Sequence, residues 1–193
     1  AGTGKFTTYL VKTGAQVIAV EPVQQMREQL SRELPDIDAR DGTAVSIPLP
    51  DASVDALTCA QAFHWFGTRQ ALAEICRVLK PGGKLGLIWN MRDESVDWIA
   101  KLTHIITPYE GDTPRFAKGT WKEAFPFDGL SPLREDHFRH SHTGSPEDVI
   151  IDRVRSTSFI AALPPDEEAK VVVTQLRALI AATPALAGKD VVS

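Results

Sequence analysis

The feature that most constrains this chain is a repeated alternation in its first half. Short apolar runs, each closed by a polar residue, are separated by stretches in which apolar residues recur at helical spacing. Val17-Ile18-Ala19-Val20 ends at Glu21, Val54 to Ala60 ends at Gln61, and Lys84 to Asn90 forms a third such run; Asp36 to Arg40 reads as a further short strand. Between them, Val23, Met26, Leu30 and Leu34 mark one helix, with Pro22 expected at its first position. Ala71, Leu72, Ile75, Val78 and Leu79 mark another, beginning at Thr68 and stopped by Pro81-Gly82-Gly83. Residues 4–13 read as a short leading helix ended by Gly14. Strands separated by helices of this length imply βαβ units, right-handed crossovers and a mostly parallel sheet.

Beyond Asn90 the rhythm loosens. Residues 95–106 read as a helix, and 107–132, rich in Gly, Pro and aromatic residues, as a lid or a substrate-facing segment. Leu133 to His142 is expected to be a strand. Ser145-Pro146-Glu147-Asp148 carries a helix-capping pattern, and a last helix is expected from about Pro164 to Ala182, with Val172, Leu176, Leu179 and Ile180 on its apolar side. No internal repeat or low-complexity segment is visible.

An open α/β sheet binds its ligand at the carboxyl ends of its strands. Three features fall there. Ala1-Gly2-Thr3-Gly4-Lys5 is a glycine turn opening a helix, where backbone N–H groups can face a ligand closely. It is no phosphate-binding P-loop, because Phe6 follows the lysine, and no complete dinucleotide fingerprint, because Thr7 holds the third glycine position. Glu21 ends the next strand, where a carboxylate can accept the hydroxyls of a ribose. Asp41-Gly42-Thr43-Ala44 follows the short strand Asp36 to Arg40, where an Asp can accept from an exocyclic amine beside close backbone. Each has a plain alternative when taken alone: a glycine turn, an acid at a helix N-terminus, and an Asp-Gly turn.

Taken together, with the stretches AGTGKFT, VIAVEP, DGTAVSIPLPDASVDALTCAQAFHWF and EICRVLKPGGKLGLIWNMRDES, the chain resembles the class I S-adenosylmethionine (SAM) dependent methyltransferases, in particular the methyltransferase type 11 domain. The resemblance covers residue 1 to about residue 97. It implies a Rossmann-like, doubly wound, mostly parallel α/β sheet, with the family's first and last strands not among these residues. It implies one methyltransferase domain over 1–193, with a cofactor-binding core over 1–94 and a substrate-side insert with C-terminal helices over 95–193.

By the same resemblance Gly2, Thr3 and Gly4 line the methionine part of SAM, Glu21 and Pro22 hold the ribose, Asp41, Gly42, Thr43 and Ala44 frame the adenine, and Gln61 lies near the methionine moiety. His64 is the candidate general base, with loop ordering or pocket shaping as its alternative. Trp65 and Phe66 are candidate walls of the acceptor pocket, or core. Asn90 and Arg92 are candidate acceptor contacts, the guanidinium suiting a carboxylate; an ion pair of Arg92 with Asp93 or Glu94 is the alternative. His137, His140 and His142 have no carboxylate or cysteine completing a metal set, so no metal is expected.

The function implied is methyl transfer to a small-molecule acceptor. A non-catalytic SAM-binding regulator and an NAD-dependent oxidoreductase are the alternatives, the latter lacking a third glycine and a Tyr-Lys pair. A formal net charge of −4 over 193 residues carries no nucleic-acid footprint, and no apolar run reaches the roughly 18 residues of a membrane span. With only two cysteines, Cys59 and Cys76, a reducing cytoplasm is the expected setting. Oligomeric state is not legible.

Overall fold

The computed structural model describes residues 1–192, apart from the side chains of Val172 and Val173. They form two compact units, Ala1–Asn90 with Pro114–Arg134, and Met91–Thr113 with Glu135–Ser193.

The first unit carries the alternation expected from the sequence. Helix α1 (Thr7–Val11) precedes strand β1 (Ile18–Val20), helix α2 (Gln24–Glu33) and strand β2 (Asp38–Arg40). Strand β3 (Val54–Ala60), helix α3 (Arg69–Val78) and strand β4 (Leu79–Ile88) follow. Both pairs are parallel: Ile18 lies opposite Asp38 in β1–β2, and Ala60 opposite Ile88 in β3–β4. The fold is therefore α/β with parallel strands and a helix inside each crossover. Among the described residues the strands make two separate pairs rather than one continuous ladder.

Local chemistry sets the boundaries. α1 is shorter than the residues 4–13 expected, because Gly2 and Gly4 hold left-handed backbone (φ +61° and +89°) and delay the helix to Thr7. A side chain on Gly4 would meet Leu30 Cγ at 3.1 Å, so that glycine also lets the turn pack on α2. α2 starts at Gln24, two residues after Pro22, which stays outside the helix. In α3, Thr68 caps the N-terminus by accepting from the Ala71 N–H at 3.2 Å. Ala71, Leu72, Ile75 and Val78, spaced at three and four residues, are buried along one stripe. Each large aliphatic side chain buried this way stabilises by about 1.5–3 kcal/mol.

The end of α3 differs from expectation. Leu79 already pairs with Val54, and the Ser53 N–H donates to the Val78 carbonyl at 2.9 Å, so the chain passes straight from helix to strand. Lys80 to Gly83 then bulge out opposite Asp55 before pairing resumes at Ala56 and Lys84. Lys80 Nζ reaches both Asp55 oxygens at 2.9 Å across that bulge.

Residues 114–134 belong to the first unit and are held by aromatic packing. Trp121 and Ala124 are buried with Phe63, Leu72 and Ile75. Phe63, fully buried, meets Phe66 and Trp121 edge-on at 5.6 and 6.1 Å between ring centroids.

The second unit builds its own core from helix α4 (Asp97–Ile106) and the C-terminal helices. Leu102, Ile106, Ile150, Ile151, Ile160 and Leu176 are among its buried residues. Ser145 caps the helix that follows: its hydroxyl accepts from the Asp148 N–H at 3.1 Å and donates to the Asp148 carboxylate at 2.6 Å. The final helix covers 165–182, with a wider π turn over Lys170–Leu176. Leu176 is buried within it, whereas the side chain of Val172 lies outside the described residues.

The expected strand Leu133 to His142 is not formed. Among the described residues this segment joins no β-ladder, and both faces of the alternation are exposed, with Phe138 at 87%. Alternation makes a strand only where a ladder partner and a buried face exist. Here it has neither.

Candidate active site

The site residues of the first unit fall into two hydrogen-bonded groups, each at strand carboxyl ends. The first is organised by Glu21. The residue is 7% exposed, and its carboxylate satisfies the glycine turn: Oε2 accepts from the Ala1 nitrogen at 2.9 Å and the Gly2 N–H at 2.7 Å, and Oε1 from the Val23 N–H at 3.0 Å. Burial alone would raise its pKa. The backbone N–H bonds from Gly2 and Val23 act against that. Thr3 completes the turn, and Pro22 stands exposed between Glu21 and α2.

Arg27, on the first turn of α2, joins the ends of β1 and β2. Its Nη1 donates to the Glu21 carbonyl at 2.7 Å and to Asp41 Oδ1 at 3.3 Å. Asp41 itself is exposed. Behind it, the Thr43 N–H and the Ser46 N–H exchange bonds with each other's carbonyls at 3.1 and 3.2 Å, folding Ala44 and Val45 into a tight turn. A Cβ on Gly42 would stand 2.5 Å from Pro48 Cδ and 3.0 Å from Val20 Cγ1, so only glycine admits this approach.

The loop from Thr43 to Asp51 is clasped by α3. Arg77 donates to the carbonyls of Ile47 and Leu49 at 3.0 and 2.8 Å and to Asp51 at 2.6 Å. Glu74 accepts from the Ile47 N–H at 2.7 Å and pairs with Arg77. These contacts hold the Glu74 carboxyl down at about 2 and push the Arg77 guanidinium up. The arginine of the RVLKPGG stretch is thus a brace for the loop that follows Asp41.

The second group lies at the ends of β3 and β4. Gln61, at φ +55°, leaves β3 in left-handed backbone; its N–H donates to the Ile88 carbonyl at 2.8 Å and its side-chain amide to the Asn90 carbonyl at 3.5 Å. A non-glycine residue in that region carries local strain, of the kind that collects at ligand sites. Gln61 and Asn90 are both exposed. On the short helix Phe63–Trp65, Phe63 points into the core, Trp65 is half exposed, and His64 is half-buried between them. Trp89 Nε1 donates to His64 Nδ1 at 2.9 Å. Burial first, and then the positive charge of Arg115, lower the His64 pKa.

Phe66 packs on Phe63 as core, whereas Trp65 remains free to face a ligand. Arg92 belongs to the second unit, where Asp93 accepts from the Ser95 N–H at 3.1 Å. The histidines at 137 and 142 contact Glu135 and Arg153, and no cluster of three metal-ligating side chains occurs among the described residues. No described helix is long and apolar enough to cross a membrane.

Sequence reasoning missed Arg27, Glu74, Arg77, Trp89 and Arg115. Arg27 had a signal, since a cation within two turns of a strand-end acid can reach back to it. Trp89 and Arg115 meet His64 only through tertiary packing.

Residues 1–87 match a methyltransferase domain family model. An uncharacterized methyltransferase-like protein of Schizosaccharomyces pombe is 44% identical over 172 residues, covering 89% of this chain and 67% of that protein. An uncharacterized methyltransferase of Mycobacterium tuberculosis is 40% identical over 190 residues, 98% of this chain and 74% of its own length. The fold matches the crystal structure of a candidate type II methyltransferase from Anaeromyxobacter dehalogenans with a TM-score of 0.65 at 22% identity, over 98% of this chain and 79% of that one. With the parallel βαβ pairs and the strand-end residues set out above, these matches place the chain in the class I SAM-dependent methyltransferase family.

Proposed function

We propose that this protein transfers a methyl group from SAM to a small-molecule acceptor by in-line displacement. The observation that carries the reading is buried Glu21, whose carboxylate holds the glycine turn and whose backbone carbonyl is tied through Arg27 to Asp41. Two features fit the cofactor. Oε1 of Glu21 takes one backbone bond and keeps a second accepting position, enough for a ribose hydroxyl. The space where a Cβ of Gly2 would stand has no atom within 4 Å, leaving the turn open to a ligand.

In this reading Gly2, Thr3 and Gly4 lie along the methionine part, Glu21 and Pro22 hold the ribose, Asp41, Gly42, Thr43 and Ala44 frame the adenine, and Gln61 borders the methionine end. Trp65 and Asn90 face the acceptor, with His64 beside them. SAM, when bound, supplies a methyl on a sulfonium whose leaving group is neutral. The protein's task is then placement and exclusion of water. The free thiols of Cys59 and Cys76 support a reducing, cytoplasmic setting.

Calorimetry with SAM and with NAD tests the reading: heat with SAM, reduced by changes at Glu21, is the expected result, and binding of NAD alone overturns it. A panel of small carboxylic acids, phenols and quinone precursors, read by release of S-adenosylhomocysteine, then identifies the acceptor.

A further inference from the structure

We infer that Trp89 fixes His64 as a hydrogen-bond donor through Nε2, so that His64 orients the methyl acceptor and does not take its proton. The inference deepens the proposed methyl transfer and rests on it.

An indole Nε1–H can only donate. At 2.9 Å from His64 Nδ1 it requires a lone pair on that nitrogen. The one ring proton of a neutral imidazole must then sit on Nε2. An imidazolium would set Nδ1–H against Nε1–H, so the contact opposes protonation as well as the other tautomer. Trp89 cannot easily turn away: its ring packs on Phe116 at 4.8 Å and on Trp121 at 4.7 Å between centroids. Burial and the Arg115 charge act in the same direction on His64.

A general base needs a lone pair that faces the substrate and is not already engaged. His64 has one lone pair, and Trp89 occupies it. What remains is an N–H on the ring edge away from Trp89, in a residue that is only half-buried and lies 5.6 Å from the half-exposed Trp65 ring. Among the described residues no other group hydrogen-bonds to this histidine. Trp89 is therefore a positioning residue, and the acceptor it serves presents an oxygen lone pair to Nε2–H and arrives with its attacking atom already free of a proton. An oxygen anion has that chemistry.

The test is a long-range proton–nitrogen spectrum of the imidazoles in 15N-labelled protein, with S-adenosylhomocysteine present, over about pH 6 to 9. The expected result is the neutral Nε2–H form alone at pH 7. In Trp89→Phe, which keeps a ring in the cluster but lacks the donor, the two nitrogens should move toward a mixture of tautomers. Should that variant unfold, His64→Ala in place of it should shift the Trp89 indole proton upfield. Sodium acetate, as a minimal oxygen anion, should then move the Nε2 signal and leave Nδ1 in place. An Nδ1–H form or an imidazolium in the unaltered protein at pH 7 overturns the assignment, as does an acetate response confined to Nδ1 or absent at saturation. None of these readings requires turnover, so they stay separate from a failure of the protein to bind SAM.

Discussion

The guanidinium of Arg77 meets the carboxylate of Glu74 one turn earlier in the same helix, at 2.9 Å from Nε and 2.7 Å from Nη2, and from that fork it reaches two carbonyls of the loop that follows Asp41. A lysine would keep the charge and lose the fork. Arg77→Lys should therefore lower Tm and, on the proposed reading that sets this loop beside the adenine, weaken SAM binding together with it. Thermal unfolding and calorimetry on the same preparation check this; a lower Tm with unchanged affinity would separate the two.

The same contact predicts a pH dependence. Glu74 is held at about 2 against an ordinary 4.5. A depressed carboxyl stabilises the fold fully above its unfolded value, and that stability is lost as pH falls from about 4.5 toward 2. Urea midpoints taken down this range should fall less steeply in Glu74→Gln than in the unaltered protein, the variant being weaker at neutral pH.

Gly42→Ala puts a methyl 2.5 Å from Pro48. Either the proline or β1 must move, at a cost of about 1–3 kcal/mol by analogy with overpacked cores. Gly2→Ala meets no atom but must adopt a positive φ, so it should cost less stability and disturb the cofactor turn. Chemical denaturation compares the two.

Glu21→Gln replaces a carboxylate that accepts the Gly2 and Val23 N–H groups on separate oxygens by a neutral amide with one accepting oxygen. Losing charged hydrogen bonds of this kind should weaken SAM binding roughly 10- to 100-fold. Arg27→Gln should weaken it less, since Arg27 acts through the Glu21 carbonyl and Asp41 rather than on the ligand. Equal losses in both variants would show Arg27 to be a direct contact.

The parallel pairs and their helices were legible because each is set by local patterning: the apolar run before Glu21, the stripe Ala71-Leu72-Ile75-Val78, the caps at Thr68 and Ser145. Leu133 to His142 was misread for the complementary reason, since alternation is local and a ladder partner is not. Glu21 and Asp41 could be named from their places in the chain, and Gln61 through the family resemblance. What Glu21 grips, and the clasp by Arg77, depend on loops brought together over long separations in sequence. Trp89 stood in plain view beside Asn90, yet its partner His64 lies on a different turn of the chain, and only their meeting assigns the ring proton.

The aromatic cluster has a spectroscopic consequence. Trp89 and Trp121 stand 4.7 Å apart with planes inclined by 31°, close enough for their excited states to couple. Trp89 directly follows β4, whereas Trp121 comes from the segment 114–134 of the same unit. A coupled pair of near-ultraviolet dichroism bands should therefore report whether that segment is seated, giving the protein an intrinsic optical gauge that needs no label.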